Sequence, residues 1–273
     1  MSRLCHTALF ALTVFLISAL GVRAEDTGKL RTMMMAIGAD AWIESYAEGM
    51  RRSDNPAAGE DDPSWSKAAT EIFVHEEIFD ELVGRMAGRL DDTELDEILG
   101  FLASDLGRRV TKMEIEAQDP SVADGVDMAG EQIAAELMES APDRIAAYQN
   151  MLDAIDAVES GVTTALNMNF AVLSGMVASG RMSYQMSEGE ILSLIAAQED
   201  MIREEVRKSA MESAAFTYRD LSDEDLEMYV EFLTSNVGKK LYGVMNTMAD
   251  EIMSERGRAF GKRMLELQDS QEL

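Results

Sequence analysis

The sequence has little of the chemistry on which most catalytic and metal sites depend. Its 273 residues include one cysteine, Cys5, and two histidines, His6 and His75. One cysteine cannot form an internal disulfide, and structural zinc sites need several cysteine or histidine ligands. The fold must therefore be held by its core. We predict no enzymatic activity, with no catalytic residue, no cofactor and no metal site.

Proline is also scarce, with four residues in the chain and none after Pro142. Few segments alternate β-branched or aromatic residues with polar ones at a period of two. Apolar positions instead recur at spacings of three and four, which is typical of amphipathic helices. We therefore predict an all-α fold: a helical bundle of about eight to ten helices in two pseudo-repeated halves, with no sheet.

Basic residues are outnumbered, at 24 lysines and arginines against 51 acidic residues, for a formal charge of −27. The acids are spread along predicted helix faces and do not form a tail. Such a surface repels nucleic acid and anionic lipid and favours basic partners. We predict that nucleic acid is not a partner.

The N-terminus has the features of a secretory signal peptide over residues 1–24. Arg3 supplies the positive charge, residues 8–22 are almost wholly apolar, and Ala24 ends a short small-residue cleavage signal. The alternative is a membrane anchor, but the apolar run is short for a span and no basic cluster follows it. The sequence therefore predicts a periplasmic or secreted protein with no stable membrane span after cleavage.

Two interruptions divide the rest of the chain. One is the Gly, Asp and Pro-rich segment 53–63, and the other is 118–120, which we take as the boundary between halves. The predicted first half is 25–120 and the second is 121–273.

Residues 160–180 contain no charged side chain. Apolar positions from Ile145 to Leu173 predict one long helix or two collinear ones, bent near Gly161. A helix without a charged face is usually central in a bundle, so we predict that this one is buried. The alternative is a surface for homo-oligomerisation or for a ligand.

Each predicted half carries one copy of a 21-residue pattern, at 90–110 and at 221–241. The two align without a gap at an offset of 131 residues, and seven of the 21 positions are identical. Chance would give one or two identities at average residue usage. The identical positions in the first copy are Leu90, Asp92, Leu95, Phe101, Leu102, Ser104 and Gly107.

Each copy predicts a capped helix followed by a sharp corner. Asp91 and Ser222 are good N-caps, with an acidic residue three positions later. The glycines suit either a left-handed helix end or a close backbone contact. The cation pairs that follow, Arg108 and Arg109 or Lys239 and Lys240, could contact carbonyls ending the preceding helix or bind a partner's anion.

This pattern resembles the bacterial exported family known as domain of unknown function 2059. The family's hallmark is an acidic, capped helix, then an aromatic residue, Ser-Pro, a glycine and basic residues. Both copies match it except at the proline, which is Asp105 in the first and Asn236 in the second. The family has no established activity, so the resemblance implies a fold and a location but no catalytic residue.

Possible catalytic residues are few. The sequence His75-Glu76-Glu77 is not a zinc-protease motif, because Phe79 occupies the position of the second ligand. His75 lies on an apolar helical stripe and is predicted to be structural. Paired carboxylates are frequent, but in a chain with 51 acids adjacency says little. The 21 methionines are dispersed, which favours core packing over metal binding.

These observations favour a non-catalytic extracytoplasmic protein, a binding or scaffolding module whose helical grooves accept a protein, a peptide or an apolar ligand. The alternative is a hydrolase that uses carboxylates or a metal ion held by oxygen ligands. The two differ in one structural feature. Three or more acids converging in a pocket would favour the enzyme, and an apolar groove would favour binding.

Overall fold

The computed structural model describes residues 27–52, 63–119, 121–178, 180 and 186–269. Within these ranges the chain forms 13 helices and no strand, which confirms the all-α prediction and exceeds the predicted helix number. The predicted signal peptide lies outside the described residues, as does 53–62. The helices are α1 (27–36), α2 (Ala39–Arg52), α3 (Ser64–Ile72), α4 (His75–Met86), α5 (Asp92–Leu102), α6 (Asp105–Ala117), α7 (Ala123–Ser140), α8 (Pro142–Ala154), α9 (Ala157–Ala178), α10 (Glu188–Ala196), α11 (Glu199–Thr217), α12 (Asp223–Thr234) and α13 (Asn236–Asp269).

The core consists of two clusters of buried side chains. The first cluster joins α1–α5 to α13, with Met33, Leu82 and Phe260 among its fully buried members. The second cluster joins α6, α7, α8, α11 and α12 around Tyr148 and Leu226. The clusters do not follow the predicted boundary at residue 120, because α6 belongs to the second and α13 to the first.

The predicted long helix is interrupted after α8. The break lies at Ile155 and Asp156, where Asp156 has a φ of +55°. Aspartate is one of the few residues with a side chain that adopts this left-handed conformation at modest cost. The break thus lies five residues before Gly161, the position at which a bend was predicted, and Gly161 itself lies inside the first turns of α9.

The prediction that 160–180 is buried is also wrong for most of its length. Among the described helices, α9 alone is long and apolar enough to span a membrane, yet only 17% of its most apolar window is buried. Its buried residues are Val162, Ala171 and Gly175. Most of its other side chains are half-buried.

Glycines allow α9 to pack closely against α13, its main neighbour. A Cβ atom on Gly175 would overlap the Arg258 carbonyl oxygen of α13. A Cβ on Gly261 of α13 would overlap the Val172 carbonyl oxygen in the same way. The two backbones therefore touch, as small residues permit at helix crossings.

The two 21-residue segments fold alike. Asp91 caps α5 in a capping box with Glu94, and Ser222 caps α12 by accepting from the Asp225 N–H. At the corners, Ser104 Oγ accepts from Gly107 N at 3.0 Å, and Ser235 Oγ accepts from Gly238 N at 3.1 Å. Each serine caps the helix that follows the corner. The helix is therefore interrupted there without the proline that the family has at the next position.

The corner glycines allow a close backbone contact and have ordinary helical φ angles. A Cβ atom on Gly107 would overlap the Phe101 carbonyl oxygen, and one on Gly238 would overlap the Phe232 carbonyl oxygen. Of the two roles predicted for these glycines, close contact at a corner is the one observed.

The two segments also contact each other reciprocally. The rings of Phe101 and Phe232 stack with their centroids 3.8 Å apart and an interplanar angle of 3°. Arg109 lies 2.8 Å from Asp225, and Lys240 lies 2.6 Å from Glu94. Positions 109 and 240 are equivalent in the two segments, and so are positions 94 and 225. Each segment therefore makes the same contact with the other. Such self-complementarity is the mark of a two-fold relation.

This contact explains two of the four paired cations, and a third contacts the end of its own preceding helix. Arg109 and Lys240 bind acids of the other segment, while Arg108 donates to the Ala103 carbonyl oxygen at the end of α5. The capping role predicted for the cations is thus seen for Arg108. The anion-binding role is seen for Arg109 and Lys240, with the anion supplied by the same chain. Lys239 is exposed.

Candidate functional site

A cavity of about 740 Å³ lies between the two core clusters. Leu82 and Met253 line it from the first cluster, and Met151, Tyr218 and Leu233 line it from the second. Eight helices contribute lining residues. The contributing helices are α2, α4, α6, α8, α9, α11, α12 and α13, together with the α1–α2 turn at Ile37 and Gly38.

The walls of the cavity are mostly apolar or small. Trp42 and Tyr46 of α2 supply aromatic surface, and burial raises the pKa of Tyr46 to about 12. Ligand pockets of some 300–1,000 Å³ with mainly apolar walls and a few polar groups are typical of small-molecule sites. The cavity therefore has the size and lining of a binding site for an organic molecule.

The uncharged helix α9 forms one wall of this cavity. Its lining residues are Ala157, Ser160, Gly161, Thr164, Ala165, Met168 and Asn169. They recur at spacings of three and four, so they lie on one face of the helix. The N-terminal half of α9 thus turns one face to the cavity, which favours the ligand-surface alternative for this part of 160–180.

The cavity reaches the protein surface. Asn169 of α9 and Ser213 of α11 both line it and are both exposed. A ligand therefore has a route to the interior between these two helices.

The polar end of the cavity is built around Glu114 of α6. Glu114 Oε1 accepts a hydrogen bond from the Tyr218 hydroxyl at 2.6 Å and another from the Tyr229 hydroxyl at 2.7 Å. Tyr242 lies beside Tyr229 and also lines the cavity. Among the described residues that line the cavity, Glu114 alone has an acidic or basic side chain.

Burial governs the ionisation of this group. It raises the pKa of the Glu114 carboxyl above its usual 4.5, and the hydrogen bonds from Tyr218 and Tyr229 offset part of the rise. The pKa values of both tyrosines are raised well above 10, chiefly by burial and further by the neighbouring Glu114.

Gln118 adds a second acceptor at this end. It follows Glu114 by four positions, so the two side chains share a face of α6 and its cap. Gln118 Oε1 is buried and accepts no hydrogen bond from any described residue. A buried unsatisfied acceptor is costly, and its presence beside a cavity points to a donor supplied by a ligand.

His75 lies away from this cavity, at the start of α4. It is half-buried, and its Nε2 lies 2.7 Å from Asp40 Oδ1 of α2. This position fits the predicted structural role, a link between two helices of the first cluster. Within the described ranges, no group of three or more His, Cys, Asp or Glu side chains is placed to hold a metal ion.

Sequence reasoning missed Glu114, although the pattern contained a signal. Leu106 and Val110 are buried positions of α6 at a spacing of four, and Glu114 is the next position of that stripe. An acid where the stripe predicts an apolar residue is a reason to look for a polar site. The tyrosines could not be assigned to it, because their approach depends on how α11, α12 and α13 pack.

Comparison with protein families gives a match over residues 76–138 to the family described as uncharacterized protein conserved in bacteria (DUF2059). The match supports the resemblance deduced from 90–110, and it includes Glu114 and Gln118. It covers less than half of the chain and does not extend to 221–241. Comparisons with curated proteins and with solved structures gave no match.

Proposed function

We propose that this protein is a non-catalytic binding protein of the bacterial envelope, which holds an apolar small molecule in the cavity between its two core clusters. The observation that carries the proposal is the cavity itself, at about 740 Å³ and open beside Asn169 and Ser213. Most α-helical cores of this size are packed without large voids. Apolar surface of this extent in contact with water is unfavourable, and a ligand that covers it would remove that cost.

The composition of the lining supports binding over hydrolysis. A hydrolase based on carboxylates needs at least two of them converging on the substrate. The lining residues of this cavity include one, Glu114, and no histidine, lysine or arginine that could act with it.

The location and the second copy of the family pattern belong to the same proposal. Residues 1–24 have the charge, apolar run and cleavage signal of an exported protein. Segment 221–241 repeats the caps, corner glycine and cation contact of 90–110. We therefore take the chain as an exported protein with two copies of the pattern, paired through their reciprocal contact.

Filling the cavity tests the proposal. Thr164 lines the cavity from α9, so Thr164→Trp should occupy its volume and weaken binding of the apolar fluorophore N-phenyl-1-naphthylamine at least tenfold in a fluorescence titration.

The neighbouring Thr163 is the matched control, since it is exposed and does not line the cavity. Thr163→Trp should bind the fluorophore as the unaltered protein does. Equal binding by both variants, with both folded by circular dichroism, would remove the cavity as the binding site.

A further inference from the structure

We infer that the ligand of this cavity is an apolar molecule bearing a protonated amine, whose N–H groups donate to Glu114 and Gln118. The inference rests on the proposed function and adds the chemistry of the ligand's polar group. The inference follows from the acceptor oxygens at the polar end of the cavity, some of which accept hydrogen bonds within the protein and some of which do not.

The polar end of the cavity presents acceptors that are incompletely used. Glu114 receives both tyrosine hydroxyls on one oxygen, Oε1, although a carboxylate can accept about four hydrogen bonds. Gln118 Oε1 accepts none from the described residues. A primary ammonium group has three N–H donors and no acceptor, so it complements this pair.

The charge of the site selects a cation. Glu114 is the one acidic or basic residue of the lining, so an anionic group would meet repulsion and no compensating cation. The surface outside adds to this preference, because a chain with a formal charge of −27 attracts cations and repels anions.

A neutral hydroxyl could donate to the same oxygens, but it would leave the burial of the carboxylate uncompensated. An ammonium group would supply that compensation, because it stabilises the ionised form of Glu114 against the effect of burial. The other titratable groups facing Glu114 are Tyr218 at the end of α11, Tyr229 of α12 and Tyr242 of α13. Burial raises the pKa values of all three tyrosines, so they stay neutral below pH 8.

The experiment compares decylamine with decan-1-ol as competitors of bound N-phenyl-1-naphthylamine. The unaltered protein should bind decylamine roughly 10- to 100-fold more tightly than decan-1-ol, as a charge-assisted hydrogen bond to a buried group implies. Decylamine affinity should fall as the pH is lowered, because protonation of Glu114 removes the charge with which the ammonium group pairs.

Glu114→Gln should abolish most of this preference and its pH dependence, while decan-1-ol affinity changes little. Glu116→Gln is the matched control: it removes one charge from the same helix at an exposed position. Decylamine affinity in this control should stay within about twofold of the unaltered protein, since screened surface charges interact weakly.

Equal affinities of the unaltered protein for amine and alcohol would overturn the inference. If the fluorophore binds and Thr164→Trp blocks it, those results leave the cavity as an apolar site; if the fluorophore does not bind, the proposed function itself fails.

Discussion

At the residue scale, the corner glycine is the residue whose place in the repeated pattern the structure explains most directly. Gly107 follows the Ser104 cap by three residues, and its α-carbon faces the backbone of Phe101 and Leu102. Any side chain there would separate α5 from α6.

Replacing this glycine should destabilise the fold. Gly107→Ala is expected to lower the free energy of unfolding by about 1–3 kcal/mol, because the new methyl group overlaps a carbonyl oxygen that belongs to the backbone. Urea denaturation followed by circular dichroism measures the change.

Gly100→Ala provides the comparison, since Gly100 lies in α5 with open space around its α-carbon. That variant should gain roughly 0.5–1 kcal/mol from the higher helix propensity of alanine. If Gly107→Ala is as stable as Gly100→Ala, the close contact at the corner has no energetic importance.

Some of the features seen at the residue scale can be predicted from the sequence and others cannot. Caps at Asp91 and Ser222 and the corner at Gly107 follow from local rules, and all are confirmed. Glu114 violates the apolar stripe of its helix, so local rules mark it as unusual without explaining it. Its partners Tyr218 and Tyr229 come from residues more than 100 positions away, which no local rule connects.

At the scale of helices, the pairing of α9 with α13 is the contact that the sequence concealed. The uncharged composition of α9 predicted burial among large side chains. The helix instead presents glycine to another helix on one side and small or polar residues to the cavity on the other. Hydrophobic periodicity reports which faces avoid water, and it does not distinguish a packed face from one that lines a cavity.

A substitution that adds a methyl group to α13 tests its close contact with α9. Gly261→Ala should lower the free energy of unfolding by about 1–3 kcal/mol, because its Cβ would overlap the Val172 backbone. Gly243→Ala in the same helix has open space and should be neutral or slightly stabilising. Thermal denaturation of the two variants measures the difference in stability. Equal midpoint temperatures would contradict the close packing.

The break between α8 and α9 belongs to this scale too. The break consists of Ile155 and Asp156. Neither is a proline or a glycine, so the usual sequence signals of a helix end are missing there. Aspartate in the left-handed region ends α8, and the Asp156 carbonyl accepts from Ser160 N as α9 begins. The heptad rhythm continued through the break, and for that reason the sequence indicated one long helix or two collinear ones without placing the break.

At the scale of the whole molecule, the two core clusters and the space between them form one arrangement. The division into halves at residue 120 stays a prediction, as does a homo-oligomer formed through 160–180. The helix α13 carries the C-terminal part of the chain back to the first cluster, and the cavity lies between the two clusters. Their relative position could not be deduced from the order of helices along the chain.

Export is the prediction that belongs to the complete chain. Expressed in a Gram-negative host, the protein should accumulate in the periplasm with a mass that corresponds to a chain starting at Glu25. Ala24→Lys should block cleavage and leave a heavier, membrane-associated precursor. Recovery of the intact chain from the cytosol, unaffected by this substitution, would contradict a signal peptide over residues 1–24.

The reciprocal contact between 90–110 and 221–241 has a consequence for chains that fold close together. A surface that complements its own equivalent does not distinguish a partner in the same molecule from one in a neighbour. The stacked pair Phe101 and Phe232, with its two flanking ion pairs, can therefore form between two chains as well as within one. Local concentration during folding decides between the closed monomer and an exchanged dimer, and the connection between the segments favours the monomer when the protein is dilute.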